Sequence, residues 1–393
     1  MFDLRLSPEQ LEIRDAVRDF VAREVKPVAL KPERLEPFAK PLLAAQLEEA
    51  SQLGLRTLAL SEAAGGAGAD NLTCCIVTEE LAVGDPDIAA VLAHTAALGR
   101  LLERAMTPAQ RDRFLPAFVR DDGFHLALAE REPGSETALG VNYHRPEAAK
   151  PVPGTTAARS GGDWVINGVK TAVANASIAK MFVVQTSAGT LLVPRDTPGV
   201  SVRPQEGHWF HGSSGEVTFS NCRVPADNLL GAGIETDKRG SPELQALNLG
   251  IGRAAYEAAL EYAQLRVQGG RRIVEHQAIG AKLAGIAIRL EVARAAIWRA
   301  AWASDHPEAV ADRSLPDLPL QTIARAYTAE AMLEVAKDAA ECFGAMGVMR
   351  DLPLQKYVHD ARVCLHSGDG SAGATLMLAE VLAGYRRPAK TGA

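Results

Sequence analysis

Gly368, Gly370 and Gly373 stand in the spacing G-x-G-x-x-G inside "CLHSGDGSAG", residues 364–373, and an apolar run, "ATLMLAEVLAGY", follows. Taken alone, this is the pattern of a dinucleotide-binding loop that opens a helix and offers backbone N–H groups to a pyrophosphate. The stretch also holds Asp369, a carboxylate that could serve as a base or simply bond its own backbone in a turn. His208 and His211 have the H-x-x-H spacing of metal ligands. No carboxylate or cysteine stands at a matching distance, so they read as loop residues. The five cysteines (Cys74, Cys75, Cys222, Cys342 and Cys364) form no C-x-x-C pair and read as buried thiols of a reducing compartment.

The elements that must position these groups fall into three blocks. Residues 1–122 read as helical: Ser7-Pro8-Glu9-Gln10 is a capping box with Pro at the first helical position. Further helical stretches run from about Ala44 to Leu53, Asn71 to Ala82 and Ile88 to Glu103, and Thr107-Pro108 starts another. Residues 123–232 are rich in Val, Thr, Gly and Asn in short runs, a compact β unit. Within it, Asn167-Gly168 in "DWVINGVKTAV" predicts a two-residue hairpin turn. Residues 233–393 return to helices, with three long periodic segments, "PELQALNLGIGRAAYEAALEYAQLRVQ" among them, suited to an antiparallel four-helix bundle. The fold class expected is therefore α+β.

This layout removes the dinucleotide reading. Such a loop needs a strand before it and a full βαβ unit after it, whereas here helices precede it and only about twenty residues follow. The chain has 393 residues, 47% hydrophobic and 23% charged, as in an ordinary globular protein. A formal net charge of −6 without a dense Lys/Arg run argues against nucleic acid as partner. No uninterrupted apolar run of membrane-spanning length occurs and the first residues lack a signal core, so a cytoplasmic protein is expected.

Five local patterns, in order from residue 126 to residue 363, resemble those of the acyl-CoA dehydrogenase family. "LALAEREPGSE" is similar to its A-L-T-E-P-x-x-G-S-D, and "GDWVINGVKTAVANASIAKMFVV" to its hairpin around N-G-x-K-x-W-I-T-N-A. "VTFSNCRVPADNLLGAG" resembles its V-x-F…V-P…L-L-G segment, and "YAQLRVQGGRRIVEHQAIGAKLA" its Y-x-x-x-R-x-x-F-G…Q signature. "ECFGAMGVMRDLPLQKYVHDARV" resembles its Q-x-x-G-G-x-G…R-D-A-R signature. The resemblance implies helices, a small β-barrel or sandwich, then a helical bundle. It also implies FAD as cofactor, acyl-CoA as substrate, and an oligomer, homo- or heteromeric, built as a dimer of dimers. An electron-transfer flavoprotein or oxygen would be the acceptor. In the family a carboxylate removes the α-proton while the β-hydrogen leaves as hydride to the flavin, and donors to the thioester carbonyl stabilise the enolate-like transition state.

Carried over by position, the resemblance places Leu128 and Ala129 against the flavin edge, Gly134 and Ser135 at its pyrophosphate, and Ala174 beside its reactive nitrogen. Ala172 and Ala174 replace a Trp and a Thr, and Ala129 another Thr. Arg266, with Gln277 following 11 residues later, matches the pair that reaches a neighbouring subunit's FAD, together with Glu341 and Gly344. Gly269 stands for a Phe there, and Glu341 for a Gln, so a carboxylate would face phosphates unless protonated or turned away. Neither usual catalytic glutamate is present. Gly368 occupies one position with Asp369 beside it; Gly240-Ser241 occupies the other, with Glu243 about a turn away. Asp369 is thus the expected base of an α,β-dehydrogenase. The alternatives are a non-catalytic subunit that completes a partner's FAD site, and other flavin chemistry such as oxygenation. The Pro-rich stretch 137–154 is longer than the family's link at this point and would lie near the substrate mouth.

Overall fold

The computed structural model describes residues 5–35, 41–134, 154–205, 211–231, 242–306, 319–367 and 370–383. The helices are α1 (Pro8–Phe20), α2 (Lys26–Ala29), α3 (Ala44–Gln52), α4 (Asn71–Gly84), α5 (Pro86–Ala105) and α6 (Pro108–Arg120), then α7 (Pro242–Leu265), α8 (Gln277–Asp305), α9 (Leu320–Cys342), α10 (Leu354–His366) and α11 (Gly370–Leu382). Between them lie β1 (His125–Ala129), β2 (Thr156–Ser160), β3 (Asp163–Val173), β4 (Ala179–Thr186), β5 (Gly189–Pro194), β6 (Val200–Pro204) and β7 (Gly215–Pro225); a short hairpin, β8 (Val267–Gln268) and β9 (Arg271–Arg272), follows α7.

Local signals account for the helix starts. Ser7 and Thr107 each close a capping box with Gln10 and Gln110, and Asp85 accepts from the N–H groups of Asp87 and Ile88 at the head of α5. The β unit is two sheets, β1-β4-β5, with β1 parallel to β4, and an antiparallel β2-β3-β7-β6. Strand periodicity of two sorts the side chains: Ala127, Phe182, Val184 and Val193 meet Ile166, Val217 and Phe219 between the sheets. Leu126, Met181, Val183 and Leu192 face Leu98, Leu102 and Phe118 of α5 and α6. The bundle of α7, α8, α9 and α10 shares one continuous core with α1, α4 and α5. At that junction the buried Glu79 and Glu80 of α4 are met by Arg18, Arg253 and Arg294. Each buried carboxylate thus keeps a paired, hydrogen-bonded cation.

Two expectations are corrected. Asn167-Gly168 is not a hairpin turn but a bulge in the middle of the 11-residue β3, where the register to β7 slips between Ile166 and Gly168. The turn lies at Gly161-Gly162, between the paired Ser160 and Asp163. Glycine is required at the bulge because φ is +152° and a Cβ there would stand 2.6 Å from Thr155 Cα. The first long bundle helix also stops at Leu265, short of the expected Gln268, because the chain turns into the β8–β9 hairpin through Gly269 and Gly270 at φ +63° and +81°.

Candidate functional site

The first group of site residues gathers where β1 leaves its sheet. Leu128 and Ala129 pair with Val183 and Val184 of β4, so their backbone is fixed to the strand end. Beyond them the chain is tied to β3. Thr171 N–H donates to Arg131 O at 3.0 Å, and the Lys170 ammonium donates to Glu130 O at 3.2 Å and Glu132 Oε1 at 2.8 Å. Glu132 also accepts from the Gly154 and Thr155 N–H groups at 2.7 and 2.8 Å. Burial pushes the Glu132 carboxyl up, but Lys170 and those two N–H groups outweigh it and hold it at about 2. The Lys170 side chain is fully buried, and burial pulls its ammonium below the ordinary lysine value. Gly134 then takes φ +80° with nothing within 4 Å of where a Cβ would be, an open backbone turn of the kind a phosphate can approach. Ser135 and residues 136–153 lie outside the described residues.

At the end of β3, Val173 is buried in the core, while its neighbours Ala172, at φ +49°, and Ala174, just past the strand, are half-buried. Asn175, at φ +62°, anchors this end: its Nδ2 donates at 3.2 Å to Val91 O, Thr95 Oγ1 and Leu126 O. Thr95 in turn meets His125 Nδ1 at 3.4 Å. Hairpin end, α5 and β1 are therefore one buried polar unit, which residue spacing could not announce. Beside it, His211 faces Asp87 Oδ1 at 3.4 Å through Nδ1 and Asp360 O at 3.2 Å through Nε2. Burial lowers this ring's basicity, but hydrogen bonds to Asp87 and Cys364 outweigh it and hold the ring well above the ordinary histidine value. His211 is thus a latch between the β6–β7 connection, α5 and α10; His208 lies outside the described residues.

The second group gathers at the other end of the bundle. Arg266 follows α7 and is exposed, Gln277 opens α8, and Glu341 and Gly344 flank the end of α9. Tyr262, one turn before Arg266, stacks on Phe343 with ring centroids 4.1 Å apart. Lys282, just over a turn into α8, bonds Glu341 at 2.6 Å and Asp338 at 2.9 Å. These contacts bring the four positions to one surface. The carboxylate of Glu341 is thereby met by a cation, which resolves the repulsion expected from its replacement of a glutamine. Gly344 (φ +57°) and Gly270 have no atom within 4 Å of a would-be Cβ, so this surface is open at the backbone. An exposed guanidinium beside bare glycine turns suits a pyrophosphate.

Between the two groups runs α7. Its 24 residues span on the order of 35 Å. Near its start the buried Glu243 lines a cavity of about 10 Å³ with Leu55, Thr78, Ala93 and Ala97. Arg266 is beyond its other end. The bases expected from position cannot be placed: Gly368, Asp369, Gly240 and Ser241 all lie outside the described residues. Among the described residues no helix is long and apolar enough to cross a membrane.

Three family models match the chain in sequence: acyl-CoA dehydrogenase, N-terminal domain, over 7–122; middle domain, over 126–222; and C-terminal domain, over 240–378. The chain belongs to the acyl-CoA dehydrogenase family. It is 28% identical to the probable acyl-CoA dehydrogenase FadE25 of Mycobacterium tuberculosis over 386 residues, 92% of each chain. It also superposes on butyryl-CoA dehydrogenase from Megasphaera elsdenii with a TM-score of 0.80 at 23% identity, covering 98% of this chain and 100% of that one. A glutaryl-CoA dehydrogenase from Mycobacterium smegmatis in complex with FADH2 gives 0.79 at 21%, covering 97% of both. At these identities the structural matches establish the fold.

Proposed function

We propose that this chain is an FAD-dependent α,β-dehydrogenase of acyl-CoA thioesters whose base is Asp369. The observation that supports the reading is that one chain carries two surfaces suited to a flavin dinucleotide: the clamped turn from Leu128 to Gly134, and the open surface of Arg266, Gln277, Glu341 and Gly344. Leu128, Ala129 and Gly134, with Ser135 next in sequence, would hold the flavin and its pyrophosphate by backbone, with Ala174 beside the ring. Bound flavin supplies a two-electron acceptor for the substrate's β-hydrogen. The protein's own task is to hold the thioester, exclude water and take the α-proton on a carboxylate. An α7 on the order of 35 Å long keeps Arg266 away from its own chain's β3 end, so Arg266 and Gln277 would serve the cofactor of a second chain. The functional unit is then an oligomer of at least two chains, with an electron-transfer flavoprotein or oxygen as final acceptor.

The test is spectroscopic. The chain purified alone should carry oxidised FAD that acyl-CoA thioesters bleach anaerobically, and Asp369→Asn should retain the flavin but lose the bleaching. Normal flavin reduction in that variant removes Asp369 as base. One specific observation favours a second reading. Ala172 and Ala174, the half-buried residues at the end of β3, both carry only a methyl group, whereas the bundle surface keeps its arginine and glutamine. A chain that completes a partner's site would be built in this way, and it would stay colourless with added FAD until that partner is supplied.

A further inference from the structure

We propose that His94 selects the acyl group, and that the acyl group it selects carries an uncharged hydrogen-bonding substituent, a hydroxyl or a carbonyl, beyond its β-carbon. The proposal deepens the acyl-CoA reading above and rests on it.

The position of His94 follows from α5. Ala90, His94 and Ala97 are partly accessible members of one stripe on a helix whose other positions from Leu92 to Gly99 are buried. The stripe runs between two places already described. At its start, Val91 and Thr95 accept the Asn175 amide at the end of β3, and Ala90 and Val91 approach Gly212. At its far end, Ala93 and Ala97 form a wall of the cavity that Glu243 lines. His94 therefore stands within one helical turn of the contacts to the β3 end, where the reacting carbons would lie, on the accessible side of α5. Methyl groups surround it along the helix, and its own side chain is the polar feature of the stripe.

Its Nε2 is buried and has no hydrogen-bond partner. Buried polar atoms are nearly always paired, so an orphan of this kind calls for a ligand or a water. Burial pushes the His94 ring down to about 4, so it is neutral at physiological pH, with one donor and one acceptor nitrogen. A neutral ring can complete a hydroxyl or a carbonyl. It cannot offset the desolvation of a carboxylate or an ammonium, which argues against dicarboxylic and cationic acyl groups. A plain alkyl chain would leave Nε2 unpaired in the closed site, so it is the acyl group such a site selects against.

The experiment compares 4-hydroxybutyryl-CoA with pentanoyl-CoA, whose acyl chains have the same number of heavy atoms, on wild-type holoenzyme, His94→Leu and His94→Gln. Anaerobic flavin bleaching gives kcat/KM, and calorimetry with the corresponding unreactive thioethers gives binding; melting temperatures check that each variant is folded. Wild type should favour the hydroxylated chain about tenfold, His94→Leu should favour the alkyl chain, and His94→Gln should keep part of the original preference. Equal handling of the two chains by wild type overturns the proposal. So does a His94→Leu variant that loses both in parallel or keeps the wild-type preference; either result would mean that Nε2 holds a water or serves packing only. Failure of the dehydrogenase reading has a different signature: neither thioester bleaches flavin in any variant. The thioether affinities then decide on their own, and equal values count against His94.

Discussion

The end of β3 and the far end of the bundle, the two places where the proposed cofactor would touch this chain, are built from opposite materials. The first is buried and tightly bonded: a fully buried lysine, a carboxylate with three donors and an asparagine amide shared among three acceptors. The half-buried residues at its tip, however, Ala172 and Ala174, carry no more than methyl groups. The second is exposed and ionic, with Arg266 free to reach outward and Lys282 balancing Glu341 and Asp338. The contrast separates shape from charge. One region fixes where a planar ring could lie by holding backbone; the other offers charge to phosphates and contributes little to the chain's own fold.

That contrast can be broken or sharpened by measurement. The largest effect is expected from Lys170→Met, which leaves the partly buried Glu132 without its cation and an apolar chain among the backbone carbonyls that the ammonium met. Denaturant titration should show a loss of about 2 kcal/mol, below the cost of a fully buried pair because solvent reaches Glu132, and the flavin should dissociate, whereas a loss below about 0.5 kcal/mol would mean that the clamp is not structural. Gly168→Ala should cost about 2 kcal/mol in the same titration, because a Cβ cannot fit against Thr155 and φ is +152°. The acid limb gives a third check. Glu132 ionises in the fold at about 2, below its ordinary 4.5, so its stabilisation is complete above pH 4.5 and is lost as pH falls towards 2. Wild-type stability should therefore fall across that window by about 1 kcal/mol, less than the full shift because solvent screens the partly exposed carboxylate, and Glu132→Gln should flatten the fall.

At the bundle end Arg266→Ala should leave the melting temperature unchanged and weaken flavin retention about tenfold, the share of one charge-assisted contact. Unaltered flavin content per chain would break the division of labour between the two ends. The smallest effect belongs to Glu341→Gln, an exposed carboxylate whose removal should shift stability by less than about 0.5 kcal/mol. A slightly higher flavin affinity is expected, because Lys282 then adds its charge to the site.

Helices were legible because their periodicity and caps are local. Ser7-Pro8…Gln10 and Thr107-Pro108…Gln110 both form the capping boxes their residues spell out. The β unit was legible in its strands but not in its turns. Asn-Gly is a turn dipeptide in isolation, yet the strands around it are held by β2 and β7, so the same two residues make a bulge and the turn moves to Gly161-Gly162. Of the site, the family patterns located Leu128, Ala129, Gly134 and the Arg266 surface. They could not locate groups whose meaning comes from a distant partner. Lys170 and Glu132 are 38 positions apart, Lys282 and Glu341 59, and neither interval has a period to read. His94 escaped notice for a related reason: a lone histidine in an apolar helix looks like core until the atoms around its Nε2 are known.

The stretch of α5 from Val91 to Ala97 has a consequence for how this protein can change. Val91 and Thr95 hold the asparagine that anchors β3, His94 lies between them in sequence, and Ala93 and Ala97 wall the inner cavity. Anchor, selector and wall thus share fewer than two helical turns. A single inserted or deleted residue upstream would rotate all three by about 100° together. Diversification of acyl preference in such a chain is confined to substitutions that keep the helix in phase, and loops elsewhere are left to absorb changes in length.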